Sequence, residues 1–151
     1  MEAVILIGIQ ATGKSTFYRR RFFRTHVRIS LDMLKTRHRE RTLMQTCLNL
    51  NQPFVVDNTN PTAEDRARYI RAAREKGFRV VGYYFQSRME DALARNRSRA
   101  GKERIPDKGI RGTRARLELP TMAEGFDALY HVRQDGRGGF VVREWHEGAG
   151  A

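Results

Sequence analysis

The sequence predicts an α/β domain in which a mostly parallel sheet lies between layers of helix. Three observations carry this prediction. Strand-length apolar runs alternate with helical stretches roughly every 25 residues. The first run, Ala3-Val4-Ile5-Leu6-Ile7, is continuously apolar rather than alternating, as in a strand buried on both faces. That run ends at Gly8 and passes through a glycine-bearing loop into a helix, the strand–turn–helix unit of parallel sheets.

Taken in order, residues 3–8 form the first strand, and a helix runs from Ser15 to about Arg24. Val27-Arg28-Ile29-Ser30 alternates as a short strand. Ser30 and Asp32 then supply helix-start chemistry for one long helix over about 32–51. A third strand is Pro53 to Asp57, with Pro only at its entry. After the polar loop Asn58-Thr59-Asn60-Pro61, Thr62 caps a helix that reaches Lys76 and stops at Gly77. A fourth strand covers 79–85, helices follow over about 89–99 and 107–117, and Leu119-Pro120 interrupts the second of these. Two final strands flank Asp135-Gly136-Arg137-Gly138-Gly139 as a hairpin. One domain, 1–146, is expected, followed by a disordered tail over 147–151.

Phe22, Phe23, Tyr83 and Tyr84 are read as core or sheet-face residues. Cys47 lies in an apolar helical pattern and is read as a buried structural thiol. A single cysteine leaves neither a disulfide framework nor a cysteine-rich zinc site. His26, His38, His131 and His146 lack ligand spacing, so they predict no metal. The N-terminal apolar run is too short for a signal peptide or a membrane span, so a soluble, cytoplasmic protein without a membrane partner is expected.

Gly8, Gly13, Lys14 and Ser15 fit G-x-x-x-x-G-K-[ST], the phosphate-binding loop of nucleoside-triphosphate sites. Glycine at 8 and 13 permits positive φ, so N–H groups along Gln10-Ala11-Thr12-Gly13 can point at a phosphate. Lys14 can neutralise β- and γ-oxygens, Ser15 can offer its hydroxyl to Mg²⁺, and Thr16 continues into a helix whose positive end faces the phosphates. The loop therefore predicts ATP or GTP binding.

Asp32, just past the second strand, can accept a proton from an attacking hydroxyl or simply complement a helix dipole. Asp57, ending the third strand, suits a metal ligand or an ordinary turn carboxylate. Arg95 and Arg99, four apart, with Arg97 and Lys102 near, suit a lid closing on a phosphoryl group or an exposed basic helix. The formal net charge is +12 and the pI about 10.8. Segments 19–41 and 95–116 each carry nine basic and two acidic residues, which more than accounts for the excess. Both are expected to flank the carboxyl edge of the sheet, which favours a polyanionic partner.

The phosphate loop, Ser30-Leu31-Asp32-Met33-Leu34-Lys35, Asp57-Asn58-Thr59-Asn60-Pro61, Ala94-Arg95-Asn96-Arg97-Ser98-Arg99 and Pro120-Thr121-Met122-Ala123-Glu124-Gly125-Phe126-Asp127 occur in this order. Together they resemble the P-loop kinase domain of 5′-hydroxyl polynucleotide kinases, the phage and animal end-healing enzymes, over roughly residues 3–132. The resemblance implies a P-loop kinase-like three-layer sandwich with a helical lid over about 89–106. It implies transfer of the ATP γ-phosphate, with Mg²⁺, to a 5′-hydroxyl end of DNA or RNA. Carried over, Lys14 and Ser15 are the phosphate and metal residues, Asp32 the general base, and Arg99 the lid arginine assisted by Arg95. Asp57 is the third-strand carboxylate and metal residue. Lys35, Asn58 and Thr59 join Asp32 and Asp57 on the acceptor side. The phage enzyme's arginines beside the base are Leu31 and Lys35 here, with Arg37, Arg39 and Arg41 as candidate replacements. Neither a phosphatase motif nor a ligase segment is present, so a stand-alone kinase is expected. A kinase for a small metabolite or nucleotide-sugar is the alternative, and a non-catalytic nucleotide-binding module the third.

Overall fold

The computed structural model describes residues 1–148. Its single six-stranded sheet has the order β2-β3-β1-β4-β5-β6. The strands are β1 (Glu2–Ile7), β2 (Val27–Ile29), β3 (Phe54–Asp57), β4 (Arg79–Phe85), β5 (Ala128–Gln134) and β6 (Phe140–Glu144). The first five are parallel, and β6 pairs antiparallel with β5 as the expected hairpin. The helices are α1 (Lys14–Arg21), α2 (Leu31–Leu34), α3 (Arg37–Asn49), α4 (Ala63–Glu75), α5 (Met89–Arg97) and α6 (Asp107–Arg116). The α/β class and the mostly parallel sheet thus agree with the sequence.

Strand β1 explains its continuous apolar run. Ile5 and Ile7 face a core closed by α3 and α4 through Cys47, Leu48, Tyr69 and Ile70. Val4 and Leu6 face a second core closed by α1 through Phe17, Tyr18 and Phe22. A smaller cluster of Ile9, Ala11, Ala92 and Ile110 seats α5 and α6 against the loop after β1. Cys47 is buried, as read from its pattern.

Two local expectations are corrected. The single helix expected over 32–51 is two helices. Lys35 adopts φ 75° at the end of α2, and Thr36 restarts the chain as a cap whose hydroxyl accepts from the Arg39 N–H at 3.1 Å. Phe23 is 70% exposed rather than in the core. It sits in the turn after α1, where Phe22 takes the inward position against Phe17 and Tyr83. In the tail, Glu147 accepts from the Met122 N–H at 3.1 Å, and residues 149–151 lie outside the described residues.

The Pro120–Asp127 segment ties the sheet to α4. Thr121 and Glu124 form a capping box. Both Glu124 carboxylate oxygens accept from the fully buried Arg66, at 2.7 and 2.9 Å, and Arg66 also donates to the Asn60 carbonyl. Removing the carboxylate leaves a buried guanidinium without its counter-charge. Glu124→Ala is therefore expected to cost about 3–5 kcal/mol of stability, read from a urea melt. A loss below about 1 kcal/mol would show that the pair behaves like a surface bridge.

Candidate functional site

The chain crosses from one side of β1 to the other, and ligands in open parallel sheets gather at the carboxyl ends of the strands around such a reversal. The loop after β1 lies there. Gly8 has φ 148° and donates its N–H to the Thr59 carbonyl at 2.9 Å, docking the loop onto the end of β3. Gly13 has φ 97°, and a Cβ there would lie 2.9 Å from both Gln134 Nε2 and the Phe140 ring. Ala11, without glycine's freedom, still holds φ 63° inside the cluster beneath α5 and α6.

Lys14 is buried, and its ammonium curls over the loop to donate to the Gly8 and Ile9 carbonyls at 2.8 and 2.7 Å. The Thr12 hydroxyl also closes on the Ile9 carbonyl. Burial, joined by the charge of Arg99 and opposed by those of Asp57 and Asp32, lowers the Lys14 pKa to about 8. Ser15 donates its hydroxyl to Asp57 Oδ2 at 2.9 Å. The same oxygen accepts from Arg28 Nε at 2.8 Å, and Arg28 Nη2 reaches Ser15 Oγ at 3.3 Å.

An open cleft of about 140 Å³ is lined by Gln10, Ala11, Gly13, Lys14, Ser15 and Thr16 from the loop and first turn. Asp32, Asp57, Asn58, Thr59 and Arg99 line its remaining walls. Residues expected from four separate stretches of sequence thus converge. Gly8 and Thr12 shape the loop from outside this lining. Lys35 lies outside it too, as does Arg95, which donates to the Ala11 carbonyl at 3.4 Å. Among the candidate replacements for the missing arginine, Arg37 is already engaged by Glu40 and Tyr69 and Arg39 by the Leu34 carbonyl.

The charge expectation holds for one segment and part of the other. Residues 95–116 lie on α5, α6 and the stretch between them, beside the loop. Residues 21–24 lie instead at the far end of α1, because that helix runs back toward the amino edge of the sheet, whereas Arg19 donates back to the Thr16 hydroxyl at 3.2 Å. Arg20 reaches back to the β5–β6 hairpin beside the loop, packing over Phe140 and donating to the Gly138 carbonyl, and Arg21 packs over Phe17 and Tyr83.

Three site residues escaped the sequence reading. Arg28 was findable: alternation in β2 turns Val27 and Ile29 toward the α3–α4 core and Arg28 toward the α1 face, where Asp57 and Ser15 lie. Ser87 holds the loop from beneath, its hydroxyl accepting from the Ile9 N–H at 3.1 Å and donating to the Phe85 carbonyl at 2.8 Å. Thr113 on α6 accepts from Gln10 Nε2 at 2.9 Å. Neither has a sequence signal, because each acts across a gap of dozens of residues. The donor set fits the groups the loop predicts. Hydroxyl and carboxylate oxygens at Ser15 and Asp57 are hard ligands of the kind Mg²⁺ takes, and a buried ammonium at Lys14 suits a polyphosphate.

The family model described as AAA domain, AAA_33, matches residues 4–120. The bifunctional polynucleotide phosphatase/kinase of Schizosaccharomyces pombe is 30% identical over 135 residues, covering 87% of this chain and 33% of its own length. The chain spans about a third of the length of the curated relatives it matches. Among solved structures, a gluconokinase from Sinorhizobium meliloti aligns at a TM-score of 0.61 and 16% identity, over 87% of this chain and 81% of that one. Kti12 from Chaetomium thermophilum, solved with ADP-AlF3, aligns at 0.63 and 15%, over 88% and 89%. At these identities the structural likeness speaks for the fold. No helix among the described residues is long and apolar enough to cross a membrane.

Proposed function

The chain belongs to the AAA domain family AAA_33, and from that premise we propose that it is an ATP-dependent kinase acting on 5′-hydroxyl ends of DNA or RNA. The observation that carries this reading is the convergence of Lys14, Ser15, Asp32, Asp57 and Arg99 on one cleft at the end of β1. The polynucleotide acceptor is favoured by the similarity to the S. pombe relative across most of this chain and by the basic 95–116 segment beside the cleft.

In this reading the loop N–H groups and Lys14 bind the triphosphate, with Lys14 exchanging its two carbonyl partners for phosphate oxygens. Ser15 and Asp57 would hold Mg²⁺, which supplies charge neutralisation on the phosphates when bound. Arg28 keeps Asp57 oriented. Asp32 takes the proton of the acceptor hydroxyl as its oxygen bonds to the γ-phosphorus, the bond to the β–γ bridging oxygen breaks, and ADP leaves. Arg99 bears on the charge of the transferred group.

Incubation with Mg²⁺, γ-labelled ATP, a 5′-hydroxyl oligonucleotide and a panel of small hydroxyl compounds tests the acceptor. Label on the oligonucleotide is expected. Label confined to a small compound would make the chain a metabolite kinase, and label on neither a nucleotide-binding module.

The lowered Lys14 pKa gives a prediction independent of the acceptor. The unfolded chain holds this proton up to about pH 10.5, the folded chain only to about 8. Between those values the unfolded state binds more protons, so Lys14's contribution to stability rises with pH through that window and its penalty is complete below it. Phosphate beside the ammonium restores its proton affinity. Nucleotide binding is therefore expected to take up almost no proton at about pH 6.5 and most of one near pH 9. Calorimetry in two buffers of different ionisation enthalpy reads this. Uptake that does not grow between those pH values would show that Lys14 is not the phosphate ligand.

A further inference from the structure

Asp32 is carried by one of the least self-sufficient elements of the fold. Helix α2 is a single turn closed by two backbone bonds, Leu34 N–H to Ser30 and Lys35 N–H to Leu31. One turn is below the length at which a helix holds itself. Ser30, at its cap position, makes no side-chain capping bond. The orphan N–H of Leu31 donates instead to Asn58 Oδ1 at 2.9 Å. Beyond the β2–β3 pairing that ends at Ile29, the Asn58 side chain is thus the direct tie between the Asp32 turn and the end of β3.

A carboxamide can face either way, and what decides the direction here is Glu40. Its carboxylate is 3% exposed and accepts on both oxygens. Oε2 takes Asn58 Nδ2 at 2.8 Å, and Oε1 takes the Tyr69 hydroxyl and Arg37 Nη1, both at 3.0 Å. Arg37 Nη1 also donates to the Tyr69 hydroxyl at 2.9 Å. Burial, then the neighbouring Glu40 charge, pushes the Tyr69 pKa up to about 12, so its hydroxyl stays a donor. Glu40 can only accept and the Leu31 N–H can only donate. Asn58, between them, has one orientation that satisfies both. Glu40 itself lies outside the cleft lining, so burying this carboxylate on α3 has no direct use in binding.

We propose that Glu40 is a positioning residue for Asp32, acting through the direction of the Asn58 amide. The proposal rests on the reading of Asp32 as the general base. It also makes Asn58 a strut rather than an acceptor contact.

Glu40→Gln keeps shape and one acceptor oxygen, which the donors Arg37 and Tyr69 hold on their side, so its NH₂ faces the NH₂ of Asn58. Either that bond is lost or Asn58 turns over and sets its NH₂ against the Leu31 N–H. Adding Asn58→Asp reverses the pattern: the new amide at position 40 donates to the new carboxylate at position 58, which still accepts from Leu31. The test compares wild type, E40Q and the E40Q/N58D pair on the full chain by two readouts. One is amide exchange at Leu31 by NMR, which needs no activity. The other is steady-state phosphate transfer to a 5′-hydroxyl oligonucleotide. E40Q is expected to speed Leu31 exchange by about tenfold or more. It should lower kcat by about 10–100-fold with the KM for ATP within about threefold of wild type. The pair is expected to recover both. Unchanged Leu31 exchange in folded E40Q, or a pair no better than E40Q, overturns the proposal. A wild type that phosphorylates no oligonucleotide sinks the kinase reading alone, since Leu31 exchange still reports on the relay. Should E40Q fail to fold, Asn58→Ala replaces it in the exchange measurement, and an unchanged Leu31 rate there is equally fatal.

Discussion

Asp32→Ala is expected to lower the rate of γ-phosphate transfer by about 10²–10⁴-fold while nucleotide affinity stays near that of wild type. Two carboxylates line the cleft, and only one is free to act on an incoming hydroxyl. Asp57 Oδ2 is held by Ser15 and Arg28. Asp32 is exposed and has no hydrogen bond or ion pair among the described residues. Its charge does reach Lys14, as the smallest of the four influences on that ammonium, so its loss should scarcely alter phosphate binding. Single-turnover transfer beside equilibrium nucleotide titration separates the two effects. Transfer within a few-fold of wild type would reduce Asp32 to a charge at a helix start, worth about 0.3–1 kcal/mol of stability and nothing in catalysis.

The parallel sheet and the phosphate loop were legible because each rests on adjacent residues. The continuous run at 3–7 and the glycine spacing at 8 and 13 are written in single stretches, and the structure needs both glycines at positive φ. The break at Lys35 was missed for a different reason. Apolar spacing runs on through Leu43, Met44 and Cys47, and that periodicity masks Thr36, a cap residue only a little weaker than serine. At Phe23 two consecutive aromatics offered one inward place, and composition alone does not say which takes it. The hidden part of the site is its support. Glu40 looks like one charge on a basic helix, and only the meeting of α3, α4 and the β3 end shows it as the acceptor that turns Asn58. The sequence assigns Asp57, Asn58 and Thr59 to the acceptor side. The backbone and side chains of this D-N-T-N stretch are largely committed inward, to Gly8 through Thr59, to Leu6 through Asn60 and to Leu31 through Asn58.

Arg99→Ala is expected to slow transfer by about 10³-fold or more, the scale of an arginine that meets charge developing on a transferred phosphoryl group. Arg99 follows α5 and lines the cleft, with Nη1 donating to the Glu103 carbonyl at 3.1 Å. The segment that carries it is not loose. Asn96, fully buried, donates to the Ile105 carbonyl at 2.6 Å and accepts from the Ile105 N–H at 3.0 Å, closing residues 97–104 into a fixed loop. A side chain held from behind and open in front can bring a forked donor to phosphate oxygens without reordering the backbone. Arg99→Lys keeps the charge and loses the fork, so it should recover only part of the rate. A second readout follows from electrostatics rather than catalysis. After burial, Arg99 is the other influence that holds the Lys14 pKa down, so Arg99→Ala should raise it and shrink the proton uptake that accompanies nucleotide binding near pH 8. A variant with normal transfer and shrunken uptake would leave Arg99 as a neighbour of the phosphate site with no part in the reaction. Loss of both would tie the arginine to the γ-phosphate end of the cleft, on the same side as Lys14.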